Sequence, residues 1–208
     1  MAATVGASSP GAGCLRSLRD DGWLSAALGR LAGGAFSPLL PALTGAAVAV
    51  VLLAVGIGQL GGISLFAPVA ALLLAGVGAG HPHDGRWDWA APLLLRGTEY
   101  LYVFAVGLSA EVAQPLLFVL VAALAARDWT RGRPCSGGFP GGRGQAQDWT
   151  ARAMLGWDGR MLVLALGAVL GLLPFAFGLL AGYVWVLNGW SLTSRWLATE
   201  VVDHRRGA

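Results

Sequence analysis

The residues best suited to chemistry lie in the stretch from His81 to Val103, which reads HPHDGRWDWAAPLLLRGTEYLYV. Imidazole and carboxylate groups stand close together in its first part, and both are suitable ligands for a divalent metal. A polar loop whose aspartate caps the following helix is the simpler interpretation of the same pattern. The candidate metal ligands are His81, His83, Asp84 and Asp88, and the candidate catalytic carboxylates are Asp84, Asp88 and Asp158.

The tripeptide Asp-Gly-Arg occurs twice, at residues 84–86 and 158–160, each time at the mouth of an apolar segment. An aspartate there can accept hydrogen bonds from the free amides of a helix N-terminus, and its charge suits that end of the helix. The helix ends and their arginines could instead converge on an anion such as a lipid phosphate. Capping is the preferred interpretation, and the candidate anion ligands are Arg86, Arg160 and, inside the next apolar segment, Arg96.

Arg96 and Glu99 lie three residues apart, on one face of a predicted helix. A charge at the centre of a bilayer costs roughly 2.5–3.5 kcal/mol even on the lenient scale, so the two side chains are expected to form an ion pair. Ionisable residues inside a membrane are functional candidates, and in a small transporter these two would line the path. A structural ion pair that orients the helix is the competing interpretation.

The composition indicates a membrane protein. Of the 208 residues, 56% are hydrophobic and 12% are charged, whereas a soluble domain carries about 25% charged residues. The formal charge of +3 is small and does not indicate a nucleic-acid surface. The sequence has no Gly-x-Ser-x-Gly, Walker or dinucleotide-binding motif, and its two cysteines are not spaced for a zinc site. Soluble-enzyme chemistry is therefore not indicated.

The hydropathy pattern predicts one membrane domain at residues 16–200, with an interfacial helix followed by six spans. Residues 1–15 are predicted to be disordered, and residues 201–208 form a tail. Pro174 divides the last apolar region, which is too long for one crossing of a bilayer core about 30 Å thick. The amphipathic helix covers residues 22–36 with Asp21 as its cap, the spans are 43–60, 63–79, 90–108, 112–126, 160–173 and 175–197, and a polar loop covers 127–159.

The arginines predict which side of the membrane each loop faces. The loops at 60–62, at 109–111 and near Pro174 contain no arginine, whereas thirteen of the fourteen arginines lie in or beside the segments on the other side. By the positive-inside rule, both termini and the two longer loops are cytoplasmic, and the protein lies in the inner or plasma membrane. Seven tryptophans cluster on the same side, as an interfacial aromatic belt would: Trp23, Trp87, Trp89, Trp129, Trp149, Trp157 and Trp196.

These elements together resemble the CDP-alcohol phosphotransferase family, membrane enzymes that join a phosphoalcohol to an acceptor and release CMP. The resemblance rests on RDDGWLSAALGRL at the amphipathic helix, RGTEYLYVF in the third span and GWDGRMLV opening the fifth. The chain is more closely similar to an uncharacterised membrane domain often found behind a complete phosphotransferase domain, with similar HPHDGR, RxxEY and GWDGR stretches. This resemblance covers residues from about 16 to 200 and implies six spans after an amphipathic helix.

The chain departs from the enzymes at their metal site. The family holds two divalent metals with the four carboxylates of D-x-x-D-G-x-x-A-R-x8-G-x3-D-x3-D, whereas the second span here ends in LLLAGVGAG. Alignment on R-x-x-E-Y puts the last two metal positions on Ala91 and Leu95, which cannot bind a cation. The resemblance therefore implies a degenerate, all-α member of this fold, without catalysis or a cofactor, that assists phospholipid or envelope-lipid synthesis by binding anionic lipid or a partner enzyme. The alternatives are a divergent Mg²⁺- or Mn²⁺-dependent phosphotransferase that uses Asp84, Asp88 and Asp158 or the two histidines, and a small transporter.

Overall fold

The computed structural model describes residues 20–56, 62–81, 87–132, 153 and 155–206. In this part of the chain the backbone forms α-helices and short 3-10 turns and no β-strand, so the all-α prediction is confirmed. The predicted disordered residues 1–15 and the middle of the predicted loop 127–159 lie outside the described residues. The helices are α1 (Trp23–Leu31), α2 (Leu39–Val55), α3 (Ala67–Gly76), α4 (Ala90–Ser109), α5 (Gln114–Gly132), α6 (Gly156–Val169) and α7 (Leu173–Arg206), and α3 is flanked by 3-10 turns at Ile63–Phe66 and Val77–Gly80.

Prolines mark helix starts in this fold. Pro38 is the N-cap of α2, which begins at Leu39, four residues before the predicted span, and Pro174 lies in the first turn of α7. A proline fits there because the first amides of a helix have no intrahelical partner. The chain turns between α6 and α7 at Gly171, whose φ of +68° favours glycine. α7 then continues through the predicted tail to Arg206.

Two helical segments of the described chain are long and apolar enough to cross a membrane. One is Ile63–Gly80, which comprises α3 and its flanking turns, and the other is Leu173–Ser194 within α7. α2 is also apolar but has only 17 residues. Length and composition therefore qualify two spans, fewer than the six that the sequence predicts.

The helices pack around an apolar core that runs through the bundle. α2 and α3 form a hairpin, α6 lies against α3 and α4, and α7 packs on α5 and α6. Large apolar side chains are also exposed on every helix from α2 to α7. The predicted aromatic belt is wrong for Trp157, which is 1% exposed because its indole turns inward and donates to Asp21 Oδ1 at 3.1 Å. The largest fully buried apolar side chains are Trp157, Tyr102, Phe177, Leu95, Leu120, Met161 and Leu164.

The short helix α1 is fixed to the end of α3 by close backbone contact. A Cβ atom added to Gly29 would lie 2.4 Å from the amide nitrogen of Gly80, so the two backbones touch. α1 ends at Leu31, before the predicted residue 36, and Gly34 follows with a φ of +69°. The carbonyl oxygen of Gly34 lies 2.6 Å from Nδ1 of His81. The C-terminal end of α1 is therefore tied to the segment that opens the polar stretch after α3.

Candidate functional site

Four charged side chains form a buried cluster, here called the charged quartet: Asp20, Glu99, Arg127 and Arg160. Asp20 lies just before α1, whereas the other three members lie in α4, α5 and α6, respectively. None is more than 7% exposed, and the two positive charges balance the two negative ones. Buried charges are tolerated only when they are paired and hydrogen-bonded, and the quartet satisfies this condition across four elements.

Arg160 is the central residue of the quartet. Its Nε lies 2.5 Å from Glu99 Oε1 and one terminal nitrogen lies 2.8 Å from Oε2, a bidentate geometry. The same terminal nitrogen is 3.0 Å from Asp20 Oδ2, and Arg127 contacts Asp20 Oδ1 at 2.5 Å. As a candidate anion ligand, Arg160 would have a group such as a lipid phosphate as its partner. The structure instead turns its guanidinium inward, onto two carboxylates of the same chain.

Asp20 holds a backbone conformation that needs support. Its φ of 55° lies in the left-handed region, which few residues other than glycine adopt. Besides the two arginine contacts of its side chain, its carbonyl oxygen accepts a hydrogen bond from the Trp157 amide at 3.2 Å. Such a conformation persists only where the surroundings fix it. The quartet therefore sets the direction in which the chain enters α1.

Asp158 caps α1 from another helix. Its Oδ1 accepts a hydrogen bond from the Gly22 amide and its Oδ2 one from the Ser25 amide, each at 2.9 Å. The predicted cap, Asp21, is wrong, because the N-cap position is Gly22 and the Asp21 carboxylate accepts from the Trp157 indole. The capping role of the second Asp-Gly-Arg tripeptide thus applies to α1.

The backbones at the starts of α1 and α6 touch at this point. A Cβ atom on Gly22 would lie 2.0 Å from Asp158 Oδ1, and one on Gly156 would lie 2.2 Å from the Gly22 amide nitrogen. Gly156 also has a φ of +68°, so glycine is required there both for space and for conformation. The Gly-rich opening of GWDGR therefore serves the contact between α1 and α6.

Arg96 and Glu99 take different partners from the ones that the sequence predicts. Both oxygens of Glu99 bind Arg160, whereas Arg96 lies 3.4 Å from Asp128 Oδ1 near the end of α5. The hydroxyl of Tyr100 donates to the other oxygen of Asp128 at 3.2 Å. A pair three residues apart on one helix is worth about 0.2–0.5 kcal/mol, which a bidentate partner on another helix readily exceeds. The predicted pair within α4 is thus replaced by two contacts that join α4 to its neighbours.

The remaining predicted site residues lie apart from the quartet or outside the described chain. Asp88 is buried and accepts from the Ser37 hydroxyl at 3.4 Å. His81 faces the Gly34 carbonyl oxygen, as described above. The described residues contain no group of three or more His, Cys, Asp or Glu side chains that could hold a metal ion. The other predicted ligands, His83, Asp84 and Arg86, lie outside the described residues.

Sequence reasoning missed the quartet members Asp20 and Arg127, and it missed Ser25 as an amide donor. Asp20 is adjacent to the predicted cap, and Arg127 is the first residue after the fourth predicted span. The predicted topology puts both on the same side of the membrane as Arg160, and this shared side is the one signal that could have brought them together. What the arrangement does chemically is to join α4, α5 and α6 to the start of α1, because each carboxylate is bound by a guanidinium or by amides.

Comparison with known proteins gives a family but no function. A family model described as a family of unknown function (DUF5941) matches residues 10–189. The chain belongs to this family. Neither a curated protein nor a solved structure matches it. The matched residues include the whole quartet and Asp158, so this cluster lies inside the domain that defines the family.

Proposed function

We propose that the protein is a multi-pass membrane protein in which α2–α7 form six spans and α1 lies at the cytoplasmic interface. We further propose that it is a non-catalytic, CDP-alcohol phosphotransferase-like domain that assists phospholipid or envelope-lipid synthesis. In this role it binds a partner enzyme or anionic lipid instead of carrying out the transfer itself.

The distribution of apolar surface supports the six spans. Charged side chains of the quartet are buried between the helices, while large apolar side chains are exposed on each of α2–α7. A bundle with charges inside and apolar groups outside suits a hydrocarbon surrounding. Examples of exposed apolar residues, one from each helix in order, are Val51, Leu73, Phe104, Phe118, Leu166 and Val186.

The relative direction of the helices supports the same topology. The Trp185 indole in α7 donates to the Val119 carbonyl oxygen in α5 at 3.2 Å, and the Asn188 amide donates to the Ala123 carbonyl oxygen at 2.9 Å. Contacts therefore advance along both helices together, so α5 and α7 run in parallel. Two parallel helices separated by one further helix, α6, are what three successive crossings require.

The observation that carries the non-catalytic role is the environment of Ala91 and Leu95. The resemblance to the phosphotransferases puts the last two metal-binding aspartates at these positions, and both residues are buried in the apolar core, at 0% and 1% exposure. An apolar site of this kind supplies no ligand for a divalent cation. The nearest acid on α4, Glu99, has both oxygens on Arg160.

CMP release tests this proposal. The purified protein is reconstituted in phosphatidylglycerol vesicles with CDP-diacylglycerol, an alcohol acceptor and Mg²⁺ or Mn²⁺, beside an active phosphotransferase as the positive control. We expect no release of CMP above that of protein-free vesicles. Metal-dependent release that disappears in Asp84→Ala and persists in Glu111→Gln, an acid on the opposite predicted side, would instead establish the divergent enzyme.

The accessory role has its own measurement. We expect the protein to change the rate at which the active phosphotransferase releases CMP when both occupy the same vesicles, and to leave it unchanged when they occupy separate vesicles. Ion flux through the protein in proteoliposomes would support the transporter instead, and flux that persists in Glu99→Gln would remove the role of Glu99 in the path. An unchanged rate in mixed vesicles would contradict the accessory role while leaving the six spans untouched.

A further inference from the structure

A second polar cluster joins α4 to α5 outside the quartet, and its members, here called the outer cluster, are Arg96, Tyr100 and Asp128. A terminal nitrogen of Arg96 lies 3.4 Å from Asp128 Oδ1, and the Tyr100 hydroxyl donates to Oδ2 at 3.2 Å. Charge-assisted hydrogen bonds are typically about 2.7–2.9 Å long, so these contacts are loose. The Arg96 and Asp128 side chains are 17% and 24% exposed, whereas those of the quartet are at most 5% exposed. The outer cluster is therefore accessible from outside the bundle.

The surface beside the outer cluster is open. Gly97 is exposed, next to Arg96 and three residues before Tyr100, and a Cβ atom added to it would have no neighbour within 4 Å. Further along the same face of α4, the side chains of Leu101 and Phe104 are exposed. A ligand that lies along this face of α4 can thus reach both charges of the cluster.

The proposed topology puts the outer cluster close to the phospholipid headgroups. Arg96 is six residues from the start of α4 and Asp128 is four residues from the end of α5, about 9 and 6 Å along the helix axes. Exposed tryptophans, Trp89 and Trp129, lie near the same two helix ends, as they do at membrane–water interfaces. A long arginine side chain can extend from this depth to the headgroups. The molecules that meet this surface are therefore phospholipids.

The two charges of the outer cluster discriminate between headgroups. A phosphate alone would be attracted by Arg96 but repelled by Asp128, whose carboxylate lies beside the guanidinium. A headgroup with both a phosphate and an ammonium group offers an opposite charge to each residue. A primary ammonium has three N–H groups that can donate to the carboxylate, whereas a quaternary ammonium has none. The pair therefore favours phosphoethanolamine over both phosphocholine and phosphoglycerol.

We infer that the outer cluster binds the headgroup of phosphatidylethanolamine, with the phosphate at Arg96 and the ammonium at Asp128. The inference rests on the proposed membrane location, and it adds a zwitterionic lipid to the anionic lipid of the proposed function. The Tyr100 hydroxyl fixes the carboxylate through its second oxygen. The site is separate from the quartet, in which both guanidinium groups lie on carboxylates of the chain itself.

Native mass spectrometry tests the inference. The full chain in detergent is mixed with equal amounts of phosphatidylethanolamine, phosphatidylcholine and phosphatidylglycerol with identical acyl chains, and bound lipids are identified by mass. We expect roughly two- to fivefold more bound phosphatidylethanolamine than phosphatidylcholine, the range that partly exposed ion pairs give. Asp128→Asn keeps an acceptor for the Tyr100 hydroxyl but loses the charge, so its preference should shift to phosphatidylglycerol. Arg96→Gln should bind phosphatidylethanolamine and phosphatidylglycerol no better than phosphatidylcholine.

Two further variants separate lipid binding from a structural role of the ion pair. Gly97→Leu adds bulk beside the outer cluster without removing a charge, so it should reduce the bound phosphatidylethanolamine. Glu111→Gln removes an exposed acid on the opposite predicted side and should leave the preference unchanged. Thermal unfolding identifies any variant that fails to fold, and either Asp128→Asn or Gly97→Leu in folded form suffices for the comparison.

The outcomes distinguish this inference from the membrane location on which it rests. Equal binding of the three lipids, or a preference for phosphatidylethanolamine that persists in Asp128→Asn and Gly97→Leu, would overturn the site and leave the membrane location intact. Displacement of the lipid by an equal concentration of O-phosphoethanolamine would assign the site to a soluble ligand and would also overturn the inference. A chain that stays in solution without detergent and carries no phospholipid would overturn the membrane location itself.

Discussion

At the scale of single residues, the balance of charge within the quartet makes its members interdependent. Arg160 is bound by Glu99 and Asp20, and Asp20 is shared with Arg127, so loss of one carboxylate leaves a buried positive charge without compensation. Breaking a buried pair by removing one partner typically costs about 3–5 kcal/mol, whereas removing both partners costs much less. The single and double variants should therefore differ strongly.

We predict that Glu99→Gln lowers the free energy of unfolding by about 3–5 kcal/mol, measured by denaturation in detergent. The double variant Glu99→Leu/Arg160→Leu leaves the neutral Asp20–Arg127 pair and should recover much of this loss. Glu111→Gln, in an exposed turn, should change stability by less than about 0.5 kcal/mol. Additive losses in the double variant would contradict the quartet as a coupled unit.

A second prediction concerns the cap that Asp158 provides for α1. Asp158→Ala removes the acceptor of the Gly22 and Ser25 amides and should cost about 0.5–2 kcal/mol, as loss of a helix cap does. The effect should be local, with faster hydrogen exchange in α1 and unchanged exchange in α5. Asp158→Asn retains an acceptor oxygen, so its stability and its hydrogen exchange in α1 should lie between those of the parent protein and those of Asp158→Ala. If exchange in α1 is the same in Asp158→Ala as in the parent protein, the cap is not what orders α1.

The sequence predicts which residues carry charge into the bundle but not how they pair. Spacing within one helix is visible in a sequence, so Arg96 and Glu99 are expected to meet. Contacts between helices depend on rotation and depth, which periodicity does not determine, and the partners Arg160 and Asp128 lie 61 and 32 residues away. The second Asp-Gly-Arg is correctly predicted to cap a helix N-terminus, but the helix it caps precedes it by more than a hundred residues.

At the scale of elements, glycine decides where α1 docks. Gly29 and Gly97 are both interior helix positions, but a Cβ atom on Gly29 would meet Gly80, whereas nothing lies within 4 Å of one on Gly97. We predict that Gly97→Ala is neutral or raises stability by up to about 1 kcal/mol through helix propensity, and that Gly29→Ala lowers it. The measurement is unfolding in detergent, with hydrogen exchange in α1 as the local readout. Equal effects of the two substitutions would show that the contact between α1 and the end of α3 can accommodate a Cβ atom without loss of stability.

The positions of the helices follow from the sequence more closely than their ends do. Each predicted segment overlaps a helix, because long apolar runs have few other ways to satisfy their backbone groups. The ends differ because a proline can either interrupt a helix or stand in its first turn. Pro38 and Pro174 are of the residue type that interrupts helices, yet each stands at the start of a helix. Gly171 makes the turn after α6.

At the scale of the whole molecule, charged residues lower the hydropathy of two helices that we propose as spans. α4 has 20 residues but carries Arg96 and Glu99, while α6 has 14 residues and covers only about 21 Å along its axis. Neither passes as an isolated membrane helix. Within the bundle, however, Glu99 and Arg160 neutralise each other. The ion pair between the two helices therefore offsets the free-energy cost of burying charges that a single helix would bear alone.

We predict that Cys14 and Cys135 face the cytoplasm and that the turn after α4 faces the opposite side. In intact cells that express the protein, a membrane-impermeant maleimide should leave the two native cysteines unmodified until the cells are lysed. A variant with Cys14→Ser and Cys135→Ser together with Glu111→Cys should be modified before lysis, because residue 111 is exposed in the turn between α4 and α5. The physical reason is the arginine content, which retains the loops on the side of the native cysteines.

The controls make each result specific to topology. Glu111→Cys is compared with Ser194→Cys. Ser194 is the last residue of the apolar segment Leu173–Ser194 and lies on the predicted cytoplasmic side, so this cysteine should be modified only after lysis. Modification of Cys135 in intact cells would reverse the orientation. Modification of residues 111 and 135 from the same side would mean that α5 does not cross the membrane. Because α5 and α7 run in parallel and α6 joins them, that result would also remove one of the three successive crossings on which the six-span proposal depends.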